Sequence, residues 1–555
     1  MIRLYLTCLL LICTLSGISQ NIPEHISNVA LYDFLDELAA EKIISLNENI
    51  RPYSRDYIAE KLEAANKDSI LLTHRQTKEL HYWIDLYAPE NSKLIPSTIK
   101  LKEDSIFQLS LLTPRVQYKK NDIWLITKVI YGAMFYSNDA GQVRQTWGGA
   151  EMMMGIGKHF GFYASLRDNY ITNEPLTKPG HLTSFPCGNY KYNEGERPGV
   201  DYDETRGGIG WSWKWGNLGL KKDNIQWGYS MNGSNIFSGR NPSVPMLTFN
   251  MNPFEWATFD YVHSWLVSEV IDSSRSYYTP LGDYRARYVS KYLAANMYSF
   301  TPWKFVRASF GNSIVYSDMD FQPAYLIPFL FFKTVDHTIN HGIDNQNSHM
   351  FFSLNVRPLK HLHIYATYFV DEFSVTRISD PALNNITSFK SGMQLWNWPL
   401  KNTGISCEYY QSNPVTYKHR IPSVTFASNN YNLGHYLGDN SQEIYSEIWV
   451  KPRSSMKLKL SYNLAKHGNE YQYLDGNIID EYPFLQDITL KYERLALDFT
   501  WNLFYGTQAE VCLEYTNSTS NDVDLITSEK YLETYLPYHY RGKHYGIIFG
   551  FNIGF

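Results

Sequence analysis

Two hydrophobic periods divide this chain. Between residues 28 and 88 apolar positions recur at helical spacing, and beyond about residue 104 they recur at every second position, the spacing of a strand with two unlike faces. Residues 28–46 place Leu31, Phe34, Leu35, Leu38 and Ile43 on one side of a helix. Residues 54–68 follow, with Ser54 at the N-cap and Tyr57, Ile58, Leu62 and Ala65 apolar. Arg51-Pro52-Tyr53 breaks the chain between them. Residues 71–88 form a third helix carrying Leu80, Trp83, Ile84 and Leu86. Helices this short bury their stripes only against one another, so a three-helix bundle is predicted.

The remainder alternates. In 456–464, Met456, Leu458, Leu460, Tyr462 and Leu464 face one way and Lys457, Lys459, Ser461 and Asn463 the other. In 494–501, Leu495, Leu497, Phe499 and Trp501 oppose Arg494, Ala496, Asp498 and Thr500; in 509–515, Ala509, Val511, Leu513 and Tyr515 oppose Glu510, Cys512 and Glu514. The candidate strands are 123–136, 143–157, 159–171, 206–219, 225–233, 246–252, 256–270, 287–301, 304–316, 348–357, 361–376, 389–398, 402–412, 441–451, 455–467, 486–501, 507–517 and 541–555. Their number is even, as bacterial outer-membrane barrels require. Residues 106–118 also alternate and are read as a lead-in segment. Short turns at Pro253, Pro302, Pro358, Pro399 and Pro452 alternate with long polar stretches at 172–205, 271–286, 317–347, 413–440, 468–485 and 518–539, the asymmetry of a membrane barrel. A propeller is excluded, because the turn intervals are irregular, no blade motif repeats and the strands are too long. The expected fold is mainly β: a transmembrane antiparallel barrel of about eighteen strands after an N-terminal periplasmic three-helix bundle.

Composition agrees. The 555 residues include 44 Tyr and 14 Trp, 16% being aromatic, which suits aromatic belts at two membrane interfaces. Mean hydropathy is −0.35, excluding a helical membrane protein. Net charge is −5, which argues against nucleic acid as a partner. Arg3 followed by the apolar run Leu4–Leu15 and by Gly17-Ile18-Ser19 reads as a secretory signal. The expected organisation is residues 1–19 signal peptide, 20–103 periplasmic helical domain and 104–555 outer-membrane barrel. Cys187, Cys407 and Cys512 remain after cleavage and match no metal spacing; one is expected in a loop and two in strands. Residues 545–555 alternate Tyr545, Ile547, Phe549, Phe551, Ile553 and Phe555 against Gly546, Ile548, Gly550, Asn552 and Gly554. Such a terminal strand is what the barrel-assembly machinery recognises, with Phe555 as the insertion signal.

No phosphate loop, nucleophile elbow or paired-cysteine motif occurs in the sequence, so neither an enzyme nor a cofactor is expected. Asp336-His337 with His341 and Asp344 is metal-like only if helical, and an ordinary polar loop is preferred. Carbohydrate is the more plausible ligand, held by aromatic stacking and polar hydrogen bonds. Candidate contacts at the outer strand ends are Arg167, Asp168, Arg240, Asp318, Asp336, His337 and Asp371, with Asn169, Asn241, Asp320 and Glu372 beside them. In this register Lys457, Lys459, Arg494, Asp498, Glu510 and Glu514 point inward with mixed signs, and an occluded lumen is expected.

Tyr32-Asp33-Phe34-Leu35-Asp36-Glu37-Leu38 through Arg51-Pro52-Tyr53-Ser54, and Gly161-Phe162-Tyr163 through Arg167-Asp168-Asn169, resemble the capsule-assembly Wzi family and its Bacteroidota relatives, RemB-like gliding-motility proteins among them. Gly239-Arg240-Asn241-Pro242-Ser243, Pro323-Ala324-Tyr325-Leu326-Ile327-Pro328-Phe329 and Asn432-Leu433-Gly434-His435 extend the resemblance over nearly the whole mature chain. It implies an eighteen-stranded outer-membrane barrel with a periplasmic helical bundle, and lectin-like attachment of capsular or extracellular polysaccharide. The expected partners are that polysaccharide, outer-membrane lipid and the assembly machinery. A gliding-motility or adhesin-complex component working with motility or secretion proteins, and a substrate-specific porin, are the alternatives. Deleting Phe555 is expected to reduce the folded, heat-modifiable form on unboiled gels.

Overall fold

The computed structural model describes residues 21–87, 98–100, 107–110, 115–120, 122–193, 198–339, 345–375, 378, 385–471, 482–504, 506–523 and 525–554. The signal run, Phe555, His341 and Asp344 lie outside them. The alternating part of the chain forms one closed antiparallel sheet of eighteen strands. These are β1 (Ile123–Asn138), β2 (Gly141–Ile156), β3 (Phe160–Thr172), β4 (Gly199–Trp213), β5 (Gly216–Asp223) and β6 (Val244–Phe254). Then come β7 (Ala257–Ile271), β8 (Tyr288–Trp303), β9 (Val306–Ser317), β10 (Gln346–Val356), β11 (Leu362–Glu372) and β12 (Ile386–Trp396). β13 (Thr403–Ser412), β14 (Ser441–Arg453), β15 (Met456–His467), β16 (Leu490–Phe504), β17 (Thr507–Thr519) and β18 (Lys543–Ile553) complete the wall. Turns after even-numbered strands are short; of the five prolines singled out above, Pro358 and Pro399 lie in them, and Pro253, Pro302 and Pro452 each sit one residue before the end of the strand that enters one. Segments after odd-numbered strands are long, except the two residues between β1 and β2.

Alternation assigns the faces. On β10, Met350, Phe352 and Leu354 are exposed outward, while Phe351, Ser353 and Asn355 are buried within. Leu458, Leu460 and Tyr462 of β15, Leu495 and Leu497 of β16, and Ile547, Phe549 and Phe551 of β18 continue the outer apolar surface. Among the described residues no helix is long and apolar enough to cross a membrane; the strands do so.

The wall closes on β1. β18 pairs with its second half, from Ile553↔Tyr131 to Ile547↔Ser137. The lead-in strand Arg115–Lys120 pairs with its first half, from Arg115↔Lys128 to Lys120↔Ile123. The lead-in residues thus share an edge of β1 without adding a nineteenth member to the ring.

Two expectations need correction. The stretches expected as strands 206–219 and 225–233 are instead β4 and β5, joined at Lys214-Trp215. Gly216 makes that tight turn possible, because a Cβ there would stand 2.6 Å from the Trp213 ring and from the Asn250 carbonyl. The sequence after Asp223 leaves the wall, and Gln226–Trp227 pairs inside the barrel with Ile50–Arg51. The first helix, expected to reach residue 46, is α1 (Val29–Ala40). It stops because Lys42 turns left-handed at φ 62°, with Ile43 N–H donating to Leu38 O and Lys42 N–H to Ala39 O, the bonds of a Schellman stop.

α2 (Arg55–Lys67) begins on Ser54, whose hydroxyl accepts from Tyr57 N–H, and α3 (His74–Tyr87) follows. The three share a core of Leu31, Phe34, Leu35, Leu38, Ile58, Leu62, Leu80 and Trp83. The bundle is joined to the short-turn end of the wall by buried charge. Lys451 of β14 lies 2.8 Å from Glu79 and 3.4 Å from Glu37, and Arg75 reaches both carboxylates. Arg75 Nε also donates to Asn402 Oδ1 at 2.8 Å. Burial pushes the Glu37 carboxyl up, but Lys451 and Arg75 more than offset it and hold the group at about 2.

Replacing Lys451 by Met strands two acids beside one cation. Breaking a buried pair this way costs about 3–5 kcal/mol, so α1–α3 are expected to become protease-sensitive while the barrel stays intact. Because the Glu37 pKa is depressed on docking, its contribution is full above about pH 4.5 and is lost as pH falls toward about 2. Hydrogen exchange of α1 is expected to rise across that window in wild type, and less so in E37Q.

Candidate functional site in the barrel lumen

A ring of this size leaves a wide interior, and the chain fills it from both ends. From the short-turn end, Asn21 Nδ2 donates to Asn217 Oδ1 at 2.6 Å. Asn49 Oδ1 accepts from Ser353 Oγ at 2.9 Å, and its amide also bonds Ser309 and Asn355. From the long-loop end, residues 224–243 and 413–440 fold inward. Trp227, Ile236, Phe237, Tyr417, Val424, Phe426 and Leu433 join Met246, Leu293, Phe351 and Phe369 of the wall in one apolar core.

Beside this core the fill is polar and ion-paired. Lys390 lies 2.9 Å from Glu408. Glu408 also accepts from Tyr365 OH at 2.6 Å and from the backbone N–H groups of Met231 at 2.6 Å and Asn232 at 2.9 Å. Glu443 accepts from Asn232 Nδ2 at 2.9 Å, Asn463 Nδ2 at 3.0 Å and the Tyr436 hydroxyl. His435 Nε2 stands 3.3 Å from Glu443, yet burial, only partly opposed by that carboxylate, holds its pKa down at about 4. The ring is therefore neutral at neutral pH and stacks on Tyr410 with centroids 3.6 Å apart.

A cavity of about 520 Å³ remains between the bundle, residues 182–187, residues 224–243 and strands β14–β16. Tyr229, Tyr436, Tyr445 and Tyr492 line it with Arg51, Arg240, Lys457, Lys459 and Arg494. Of the inward charges read from the sequence, Lys457, Lys459 and Arg494 line this cavity and pair, Lys459 with Asp498 at 3.4 Å, Arg494 with Glu514 at 2.8 Å and Lys457 with Asp33 at 2.5 Å. Asp36 accepts from Arg51 at 2.7 Å and lies 2.9 Å from the Tyr229 hydroxyl.

The residues proposed from the sequence do not form one cluster. Arg167 faces the lumen, 4.4 Å above the Trp147 ring and 3.7 Å from Glu204. Its chain neighbour Asp168 is exposed on the opposite face, registered with Asp203. Arg240 lies on the inward-folded segment and donates to Asn232 Oδ1 at 3.0 Å. The Asp371 side chain is buried, accepting from Tyr417 N–H at 2.7 Å and lying 3.6 Å from His349. Asp318 and His337 are exposed at the long-loop end, with Asp336 half-buried. Asp336 and His337 ride a two-turn helix, Phe332–Ile339. Among the described residues no three His, Cys, Asp or Glu side chains gather as a metal site. Cys187 lies in the segment between β3 and β4, with Cys407 on β13 and Cys512 on β17, all unpaired.

Glu408 and Glu443 went unnamed from the sequence, although strand alternation turns both inward. Tyr229 falls in the expected strand 225–233, and the structure places it instead on the inward-folded segment, whose direction alternation does not report.

A closed wall, apolar outside and charged within, has one compatible setting. The protein is an outer-membrane β-barrel. Among solved structures it is similar to Wzi, described as an outer membrane protein involved in group 1 capsule assembly in Escherichia coli and as a carbohydrate-binding β-barrel. The TM-score is 0.54 over 97% of this chain and 100% of that one, at 13% identity. The Pseudomonas aeruginosa outer membrane protein OprD aligns with a TM-score of 0.38 at 8% identity, over 78% of this chain and 93% of that one. Acinetobacter baumannii OccAB3 aligns with 0.41 at 10%, over 77% and 98%. No family model matches the chain, and no curated protein does.

Because the lumen is filled from both ends, conductance in planar bilayers is expected to be small or absent. Replacing residues 228–239 by a short Gly-Ser linker is expected to produce stable conducting events.

Proposed function

We propose that this protein is a non-enzymatic, lectin-like barrel that attaches or organises capsular or extracellular polysaccharide at the cell surface. In this reading residues 1–19 are a signal peptide, the barrel-assembly machinery inserts the mature chain, and the bundle and short turns lie in the periplasm. The chain is then a distant member of the Wzi family, on the Bacteroidota branch with RemB-like proteins.

The observation that carries the reading is a hairpin between β7 and β8. Tyr277 registers with Arg285 and Tyr278 with Tyr284 in a short ladder. Tyr277, Tyr278, Tyr284 and Tyr288 are all exposed, as are Arg285 and Arg287. Three exposed phenol rings stand on this ribbon and a fourth at the start of β8, and ring faces with adjoining donors suit sugar rings. Asp318, Asp336 and His337 offer polar groups at the same end of the barrel. Wzi of Escherichia coli, whose barrel resembles this one, is described as carbohydrate-binding. A single hydrogen bond contributes about 1 kcal/mol, so retention of a polymer depends on many repeats of a weak contact.

Replacing Tyr277, Tyr278 and Tyr284 together by Ala is expected to release surface polysaccharide at unchanged chain length, measured as the cell-bound fraction. Shortened oligosaccharides released by purified protein would make it an enzyme instead. Unchanged surface glycan in a deletion strain would favour the motility or adhesin-complex component.

A further inference from the structure

The lumenal cavity has the chemistry of a second sugar site. Its volume of about 520 Å³ falls in the range of small-molecule pockets, roughly 300–1,000 Å³. Its cations are matched by acids in all cases but one. Arg51 pairs with Asp36, Lys457 with Asp33, Lys459 with Asp498 and Arg494 with Glu514. Among the described residues Arg240 has no acid at salt-bridge distance. Its Nη2 donates to Asn232, its guanidinium lies 5.2 Å from the Tyr436 ring centroid, and its Nη1 is buried without a hydrogen-bond partner.

Unpartnered acceptors border the same space. Glu447 Oε1 and Asn463 Oδ1 are buried with no donor, and both residues line the cavity. Polar atoms taken out of water and left unpaired are costly. A lipid tail satisfies none of them. Water satisfies the acceptors, but it supplies no negative charge for the guanidinium. A carboxylate does, in the forked geometry that suits arginine, and hydroxyls on the same molecule donate to Glu447 and Asn463.

We propose that this chamber binds a short acidic oligosaccharide, with a sugar carboxylate on Arg240 and its hydroxyls on Glu447 and Asn463. The proposal rests on the polysaccharide reading and deepens it: the ligand carries uronic-acid chemistry, and one portion of it is held inside the wall rather than on the hairpin.

The test uses purified full-length protein in detergent, with digalacturonate and trigalacturonate as probes and neutral galactobiose as control, by equilibrium dialysis. Wild type is expected to bind the acidic probes saturably and more tightly than galactobiose. R240Q is expected to weaken acidic binding about tenfold, with R240K intermediate, since a forked ion pair is lost and then replaced by a point charge. Heat-modifiable gel mobility checks that each variant is folded. If R240Q does not fold, the comparison of R240K with wild type decides. Equal binding of acidic and neutral probes, no binding to wild type, or unchanged binding in R240Q, or in R240K where R240Q does not fold, overturns the proposal. Surface polysaccharide that falls with the hairpin variant but is normal in R240Q, with unaltered probe binding, overturns the chamber and leaves the retention reading standing.

Discussion

An eighteen-stranded ring closes its sheet on itself and in doing so encloses more space than inward side chains can fill. Most of the rest of the structure answers that constraint. The segments after β5 and β13 turn inward instead of covering the rim, the N-terminal residues enter from the other end, and the inner wall is written in Ser, Asn, Glu and Lys rather than in Leu and Val. Such a polar interior is stable only if each charge has its partner. Pairs such as Lys390–Glu408, buried at 0% and 1% exposure, are therefore part of how the ring stays filled.

The same constraint unites three regions that are distant in sequence. Ile50–Arg51 adds its two residues to Gln226–Trp227 as a small ladder inside the barrel, and Gly228 N–H donates to Asn49 O at 2.8 Å. Arg51 lies between the Tyr32 and Tyr229 rings, at 4.6 and 5.4 Å from their centroids. The bundle, the inward-folded segment and the wall are thus one bonded body rather than a lid resting on a tube.

Much of this was legible beforehand, for physical reasons. Period 2 marks a strand whose faces meet lipid and lumen, so the inward set Lys457, Lys459, Arg494 and Asp498 could be read from alternation. Turn prolines marked one end of the barrel. The failures share a cause: alternation reports a strand's faces, not its partner. Trp227 and its neighbours alternate like wall residues but pair with Ile50 across the lumen, an association invisible in local sequence. The β4–β5 turn at Lys214-Trp215 carries no proline and passed unnoticed. The candidate site suffered differently. Arg167 and Asp168 look like a recognition pair when read along the chain, yet adjacent strand residues point to opposite faces, so the register itself separates them. Arg240 was named as a rim residue, but the inward fold of residues 224–243 had no local signature.

The closure seam makes one edge of β1 common to two partners. β18 meets only the Tyr131–Ser137 half of β1, whereas β2 accompanies β1 along its whole length, from Asn138↔Gly141 to Ile123↔Ile156. The other half of that edge is taken by the lead-in strand Arg115–Lys120, which precedes β1. The joint that closes the ring and the joint that ties the lead-in strand to it are thus laid end to end on one strand, so a shift in the register of β1 displaces both at once.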